Sequence, residues 1–158
     1  MLMNFIRHVS LWLAVLVIAG IDLPAKAQDE EKPYKITEDG TVDWYTYSGF
    51  RRYHADCHVC HGPDGMGSSF GPALVESLKT LSYEDFLDIV TNGRKNVTTS
   101  SENVMPSFGL NPNVMCFVDD IYAYLKARSD GVLPRGRPEK KDEKPVEAQE
   151  RDTACLGG

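Results

Sequence analysis

Three stretches of the chain repeat apolar and aromatic side chains at three- and four-residue steps, the spacing of an amphipathic helix. The stretches are residues 42–57, 82–92 and 114–128. Thr41 or Asp43 is the expected N-cap of the first, whereas Ser82 caps the second and Gly93 ends it. A short helical turn is also expected at residues 74–80. The pattern therefore predicts an all-α domain with three to four main helices.

The segments between and around these helices are polar or rich in glycine and proline. Residues 62–72 and 94–113 are predicted to be long loops, since so many turn-forming residues interrupt regular structure. Residues 28–41 are expected to be flexible, and residues 134–158 to form a polar tail that is mostly irregular as far as Cys155. We accordingly expect one domain over residues 42–133.

The first 27 residues are typical of a signal peptide. An apolar run of eleven residues, 11–21, precedes the cleavage pattern Ala25-Lys26-Ala27. Because a membrane-spanning helix needs about 20 apolar residues, this run is too short to cross a bilayer. We expect cleavage before Gln28 and export to the periplasm, with no span left afterwards. An uncleaved anchor is the alternative.

The sequence Cys57-His58-Val59-Cys60-His61 is a C-x-x-C-H motif, the attachment site of c-type haem. Two thiols at this spacing can add to the two vinyl groups of one porphyrin, and the histidine that follows can donate a ring nitrogen to the iron. A thioredoxin-type pair, half of a zinc site and a tight disulfide are the alternatives. No βαβ pattern, second C-x-x-C or spaced histidine pair supports the first two. The motif predicts one covalently bound haem c, with His61 as a ligand of its iron.

The sixth ligand of the iron decides between electron transfer and an open site for gas or peroxide chemistry. Met105, followed by Pro106, lies in a long loop between two helices and is the expected ligand. Met66 is too near His61 in sequence to reach the other face, and Met115 begins a helix. Core packing is the ordinary role of any one methionine. His54 is expected at the surface or against a haem propionate.

Charge is distributed unevenly along the exported chain. Residues 28–133 carry 16 acidic and nine basic side chains, whereas residues 134–155 carry six of each, so the net charge of −7 belongs to the domain. Such a surface argues against nucleic acid as a partner. It favours transient docking on a basic surface, although solubility alone could explain it. Asp64 and Glu76, which flank the expected haem loop, are candidate docking residues.

Two cysteines remain outside the haem motif. In an oxidising compartment we expect Cys116 and Cys155 to form a disulfide that ties the tail to the domain. Two free thiols, or dimers joined through the tail, are the alternatives.

Together these features resemble the class I cytochrome c family over residues 42–128. The resemblance rests on the helix that ends in C-x-x-C-H, the Gly-Pro-Ala-Leu stretch at residues 71–74, the Met-Pro-Ser sequence at residues 105–107 and the final helix. It implies that the terminal helices cross, with Gly49 and Phe50 against Tyr122 and Leu125. It also implies that the Pro72 carbonyl accepts the second ring proton of the haem histidine.

The four-cysteine layout, the long tail and the acidic domain are similar to the periplasmic cytochromes of bacterial methanol oxidation. This finer resemblance implies a monomeric electron carrier, not an enzyme, that accepts electrons from a PQQ-dependent methanol dehydrogenase and passes them to a cytochrome or oxidase. Two alternatives remain: a small haem enzyme or sensor with an open sixth site, and a general respiratory cytochrome c. An uncleaved N-terminus would instead indicate a fixed subunit of a membrane complex.

Overall fold

A computed structural model describes residues 31–97 and 102–157. The signal peptide expected at residues 1–27, and the cleavage before Gln28, lie outside this range. The described residues form seven α-helices, one 3-10 turn and two β-strands. The helices are α1 (Trp44–Asp56), α2 (His58–His61), α3 (Leu74–Ser77), α4 (Tyr83–Asn92), α5 (Pro112–Met115), α6 (Val118–Ser129) and α7 (Val146–Leu156). The 3-10 turn is Pro63–Gly65, and the strands are β1 (Arg94–Val97) and β2 (Glu102–Met105).

The crossing of α1 and α6 is the centre of the fold, and a glycine makes it possible. A Cβ atom at Gly49 would lie 1.8 Å from the backbone oxygen of Asp120 and 2.9 Å from the Cβ of Tyr124. The two backbones therefore approach more closely than any side chain would permit. Beside this point the rings of Phe50 and Tyr124 meet edge to face, with centroids 5.6 Å apart. The expected packing role of a glycine inside the first helix is confirmed.

The partners of this crossing differ from those expected. Gly49 meets Asp120 and Tyr124, not Tyr122 and Leu125. Tyr122 instead contacts Tyr83 and Phe86 on α4, at centroid distances of 4.9 and 5.2 Å. Tyr122 and Tyr124 are two residues apart and so lie on nearly opposite faces of α6, and the sequence pattern does not reveal which face meets α1.

The ends of the predicted helices agree closely with α1 and α4. Asp43 is the N-cap of α1, and its side chain accepts a hydrogen bond from the Thr46 amide. Ser82 caps α4 and Gly93 follows its last residue, as expected. The helix predicted at residues 114–128 is wrong in one respect, because it is two helices, α5 and α6. The break at Phe117 buries this ring beneath the guanidinium of Arg52, 3.5 Å from the ring centroid.

A β-hairpin replaces part of the loop predicted at residues 94–113. Strands β1 and β2 pair antiparallel, with Arg94 opposite Met105 and Asn96 opposite Asn103. The all-α prediction is therefore incomplete. Every residue of β1 is exposed, so the strand lacks the alternation of buried and exposed positions by which a strand is predicted.

The C-terminal tail is not irregular as predicted, because residues 146–156 form α7. Glutamate, alanine, glutamine and arginine favour helix in this segment, and tertiary contacts fix it. Ala148 is fully buried, and Arg151 forms two hydrogen bonds, of 2.7 and 2.8 Å, with the carboxylate of Asp120. The predicted disulfide between Cys116 and Cys155 is present, with the two Cα atoms 5.9 Å apart.

The segment before α1, which was expected to be flexible, is anchored where the structure describes it. Tyr34 is buried and donates a hydrogen bond of 2.7 Å to Asp130. Val42 is fully buried and forms β-bridges with Ile36 and Lys141. The bridge to Lys141 joins the segment to the tail. Among the described helices, none has the length and apolar composition needed to cross a membrane.

Candidate haem-binding site

The C-x-x-C-H motif forms a single helical turn immediately after α1. Cys57 is the C-cap of α1, and its carbonyl accepts hydrogen bonds from the amides of Cys60 and His61, at 3.2 and 3.0 Å. This turn directs the side chains of all three residues into one cavity. Burial, with smaller contributions from Asp56 and Cys60, raises the pKa of Cys57 to about 12. The thiol of Cys57 therefore belongs to an apolar wall, whereas Cys60 is exposed.

His61 is buried and held in one orientation by the loop that follows it. Its Nδ1 lies 3.0 Å from the carbonyl oxygen of Pro72. Because a carbonyl can only accept, this contact places a proton on Nδ1 and leaves the lone pair of Nε2 free for a ligand. Gly71 permits this approach, since a Cβ there would lie 3.0 Å from His61 Nδ1 and 2.9 Å from the Cys60 carbonyl oxygen.

A buried tyrosine fixes the loop after the motif. Tyr53 is fully buried; its hydroxyl donates to the Gly62 carbonyl at 2.6 Å and accepts from the Gly65 amide at 3.0 Å. Burial raises the pKa of Tyr53, so the hydroxyl keeps the proton that it donates. Sequence reasoning missed this residue, although its position four residues before Cys57 places it on the same side of α1.

Asp64 organises a second group of contacts on this loop. Its backbone is left-handed, with φ 60°. The carboxylate accepts hydrogen bonds from the Gly136 amide at 3.1 Å, from Arg135 at 3.3 Å and from the Tyr124 hydroxyl at 3.3 Å. Burial tends to raise the pKa of Asp64, but the hydrogen bonds and nearby cations outweigh it and hold this pKa below its usual range. The tail is thereby joined to the haem-motif loop.

These contacts correct two expectations. Asp64 is only 6 % exposed, so it cannot be a docking residue. His54 is half-buried, and its Nε2 lies 3.6 Å from Asp64 while its Nδ1 lies 2.8 Å from the Phe50 carbonyl oxygen. His54 is therefore part of the Asp64 group and is not among the residues that line the cavity.

The cavity has a volume of about 610 Å³, within the range of small-molecule and cofactor sites. Helices α3, α4, α5 and α6 supply apolar walls. The side chains that they contribute include Leu74, Phe86, Ile89, Val90, Val114, Val118, Ile121 and Leu125. Two thiols and an oriented imidazole on one wall of an apolar cavity fit the reactive groups and the macrocycle of a haem.

Met105 lines the same cavity from the end of β2. The next residues are bonded to the end of α4: the Ser107 hydroxyl and the Gly109 amide donate to the Thr91 carbonyl at 2.5 and 3.0 Å, and the Phe108 amide donates to the Val90 carbonyl at 3.0 Å. These bonds fix the position at which Met105 enters the cavity.

The other two methionines of the described chain lie elsewhere. Met66 is 45 % exposed, and its sulfur lies 3.8 Å from the Arg128 guanidinium. Met115 packs against the core at the end of α5 and is not among the cavity-lining residues. The structure thus brings Cys57, Cys60, His61, Pro72 and Met105 to one cavity.

Comparisons with known proteins agree with this geometry. The family described as "Cytochrome C oxidase, cbb3-type, subunit III" matches residues 46–125. Cytochrome c-555 of Methylococcus capsulatus (strain Bath) is 39% identical over 129 residues, which are 81% of this chain and 89% of that protein. Cytochrome c-553I of Paracoccus denitrificans is 55% identical over 125 residues; these are 79% of this chain but only 55% of that protein, so the chain spans about half its length.

A solved structure is similar as well. The crystal structure of the c-type cytochrome XoxG from Methylobacterium extorquens AM1 superposes with a TM-score of 0.66 at 47% identity, covering 80% of this chain and 84% of that one. The chain therefore belongs to the class I c-type cytochromes, which hold haem c covalently.

Proposed function

We propose that this protein is a periplasmic one-electron carrier in which His61 and Met105 are the axial ligands of the haem iron and Cys57 and Cys60 form the thioether bonds. The observation that carries the proposal is that these four side chains line one apolar cavity. The contact between His61 and the Pro72 carbonyl supports the first ligand, because it leaves Nε2 free to bind.

A methionine ligand distinguishes a carrier from a haem enzyme or sensor. It closes the sixth position and raises the reduction potential. Met105 is partly buried against the core, and the segment after it is bonded to α4. This anchoring supports a fixed ligand over an open site.

The ligand assignment is tested by Met105→Ala in the purified holoprotein. We expect the methionine-to-iron charge-transfer band to disappear and the reduction potential to fall, while Met115→Ala, the matched control, keeps the band. His61→Ala should prevent a stable low-spin haem. An unchanged spectrum in Met105→Ala would overturn the assignment and favour Met115.

We further propose that the electron donor is a PQQ-dependent methanol dehydrogenase and that a downstream cytochrome or oxidase is the acceptor. The four-cysteine layout supports this, now with Cys116 and Cys155 joined. The relatives from Methylococcus and Methylobacterium support it as well. A carrier must release each partner quickly, so we expect a monomer with a small docking interface.

The outer face of α4 is the docking surface that the charges favour. Phe86, Ile89 and Val90 on the inner face of α4 line the cavity. Its outer face carries exposed acids, and the first residues of α6 add another. These are Glu84, Asp85, Asp88 and Asp119. An acidic surface directly behind a cavity wall would steer a basic partner toward the haem.

Glu76 is also exposed, on α3 between the cavity-lining residues Leu74 and Ser77. Lys79 lies 2.7 Å from its carboxylate and offsets its charge. Glu76 is therefore a weaker docking candidate than the acids of α4.

Stopped-flow mixing of the oxidised protein with reduced methanol dehydrogenase at low salt tests the donor. We expect haem reduction faster than that of an unrelated acidic cytochrome, and a rate constant that falls with added salt. A general respiratory carrier that serves an oxidase is the second candidate, because the matching family is described as a cbb3-type oxidase subunit. Reduction no faster than that of the unrelated cytochrome would end the methanol-specific proposal and favour this one.

A further inference from the structure

The hairpin places one charged and two polar residues at the wall of the cavity. Arg94 pairs with Met105 and Asn96 pairs with Asn103, and cross-strand partners project from the same side of a sheet. All four residues line the cavity. The hairpin that supplies the proposed methionine ligand therefore brings one guanidinium, from β1, and two amides, one from each strand, to the same wall.

The described residues that line the cavity include only two charged side chains, of opposite sign. Among the described residues that line it, Arg94 is the only lysine or arginine and Asp56 is the only carboxylate. Asp56 is the last residue of α1, beside Cys57 at the thioether wall. Positive charge and amide donors are thus concentrated at the hairpin, where the cavity can hold an anion.

A haem carries two propionate carboxylates at one edge of an otherwise apolar ring. Arg94 is exposed at the hairpin, so a carboxylate beside it can remain partly hydrated, which avoids the cost of burying an unpaired charge. A guanidinium binds a carboxylate through two parallel charge-assisted hydrogen bonds, and an amide can donate a further one.

We infer that Arg94, assisted by Asn96 and Asn103, binds the haem propionates and is a positioning residue that raises the reduction potential. The inference rests on the haem site of the proposed function. Reduction removes one positive charge from the iron, so a nearby cation stabilises the reduced form. Loss of the cation also leaves the propionate charge uncompensated, which favours the oxidised form.

The test is a spectroelectrochemical titration of purified holoprotein variants at pH 7. Arg94→Gln should lower the equilibrium constant for reduction about tenfold, or about 59 mV for a one-electron couple. Arg94→Lys should keep most of the wild-type value, because the charge remains. Lys95→Gln, the matched control, loses the same charge one residue away, at a position that is not among the residues lining the cavity, and should change the constant less than about twofold.

A second variant, Asn103→Asp, tests the inference if Arg94→Gln is poorly expressed. Asn103→Asp would place a carboxylate against the propionates and should also lower the equilibrium constant. Equal shifts in Arg94→Gln and Lys95→Gln would overturn the inference, because they would show an effect of net charge alone. The methionine-to-iron band is recorded for the wild type and for every variant as a separate measure of the Met105 ligand. Absence of the band in the wild type would contradict the ligand assignment and not the role of Arg94.

Discussion

The crossing of α1 and α6 and the hairpin wall of the cavity are built from different kinds of contact. At the crossing, backbone meets backbone at Gly49, and Tyr53 and Tyr124 are fully buried. In the hairpin, all of β1 is exposed, and Val104 of β2 is 60% exposed. The crossing thus has a protein core of its own, whereas the described strands of the hairpin are mostly exposed.

The difference indicates that the two regions have separate roles, one in stability and one at the cavity. The crossing, with α7 bonded to it, supplies stability that depends on packing between side chains and backbone. The hairpin brings Met105 and Arg94 to the cavity in which we propose that the haem binds. Substitutions at the crossing should therefore change the free energy of unfolding, and substitutions on the cavity side should change redox and partner properties.

The disulfide should make the largest single contribution on the crossing side. Cys116 and Cys155 are 39 residues apart, and a closed loop of this length stabilises the folded state by at most about 4 kcal/mol. We expect the double variant Cys116→Ser/Cys155→Ser to lose up to this amount in urea unfolding of the holoprotein. Thiol titration of the denatured wild type should find no reactive thiol, and two per chain would contradict the bridge.

Gly49→Ala should follow in size. The added methyl group would overlap the Asp120 carbonyl oxygen, 1.8 Å away, so the helices must separate, at a cost of about 3 kcal/mol. The reverse change at the exposed Ala55 of the same helix is the control. Ala55→Gly should cost only about 1 kcal/mol, from helix propensity. A stabilised Gly49→Ala variant would show that the helices do not meet here.

The ion pair between α6 and α7 should have a smaller effect. The Asp120 side chain is 2% exposed, whereas that of Arg151 is 30% exposed, so solvent weakens the pair from one side only. Arg151→Ala leaves a buried carboxylate without its cation and should cost about 2 kcal/mol at pH 7. In the double variant Asp120→Asn/Arg151→Ala the loss should be smaller, because no charge is left buried.

Acidification should reduce the cost of Arg151→Ala. Burial raises the pKa of Asp120 above its usual value even with Arg151 present. A carboxyl group with a raised folded-state pKa binds protons more readily in the folded than in the unfolded chain, so stability increases as pH falls toward about 3.9, the usual carboxyl pKa. Without Arg151 this increase should be larger. A cost independent of pH would contradict the role of Asp120.

The features that sequence predicted well are those fixed by local chemistry. Helices α1 and α4 have strong apolar periodicity and clear caps at Asp43 and Ser82. The C-x-x-C-H motif needs its spacing for covalent attachment. Met105 was preferred to Met66 and Met115 for its loop position before Pro106, and its role as a ligand stays a prediction. The structure places Met105 in the cavity and the other two outside it.

The features that sequence reasoning missed depend on distant partners. Helix α7 is held by Asp120, 31 residues before Arg151, and by Cys116, 39 residues before Cys155. Asp64 receives hydrogen bonds from residues 60 to 72 positions later, which no local pattern encodes. The hairpin was missed because its strands lack the alternation of buried and exposed positions by which a strand is predicted.

The smallest effect on stability, with a clear effect on function, is expected from charge reversal on α4. Asp88 is exposed on the outer face of the helix whose inner face lines the cavity, and Glu150 is exposed on α7. Both Asp88→Lys and Glu150→Lys should change the free energy of unfolding by no more than about 0.5 kcal/mol, because neither is buried. Asp88→Lys alone should lower the second-order rate constant for reduction by the methanol dehydrogenase, several-fold at low salt.

Salt separates this charge effect from a loss of direct contact. The Debye length falls from about 10 Å at 0.1 M to about 3 Å at 1 M, so the rate constants of the wild type and Asp88→Lys should converge as salt is added. A difference that persists at 1 M would indicate a short-range contact at Asp88. Equal slowing by Asp88→Lys and Glu150→Lys would show that net charge, and not the acidic face of α4, governs the encounter. It would also remove the proposed functional difference between the cavity side and the crossing.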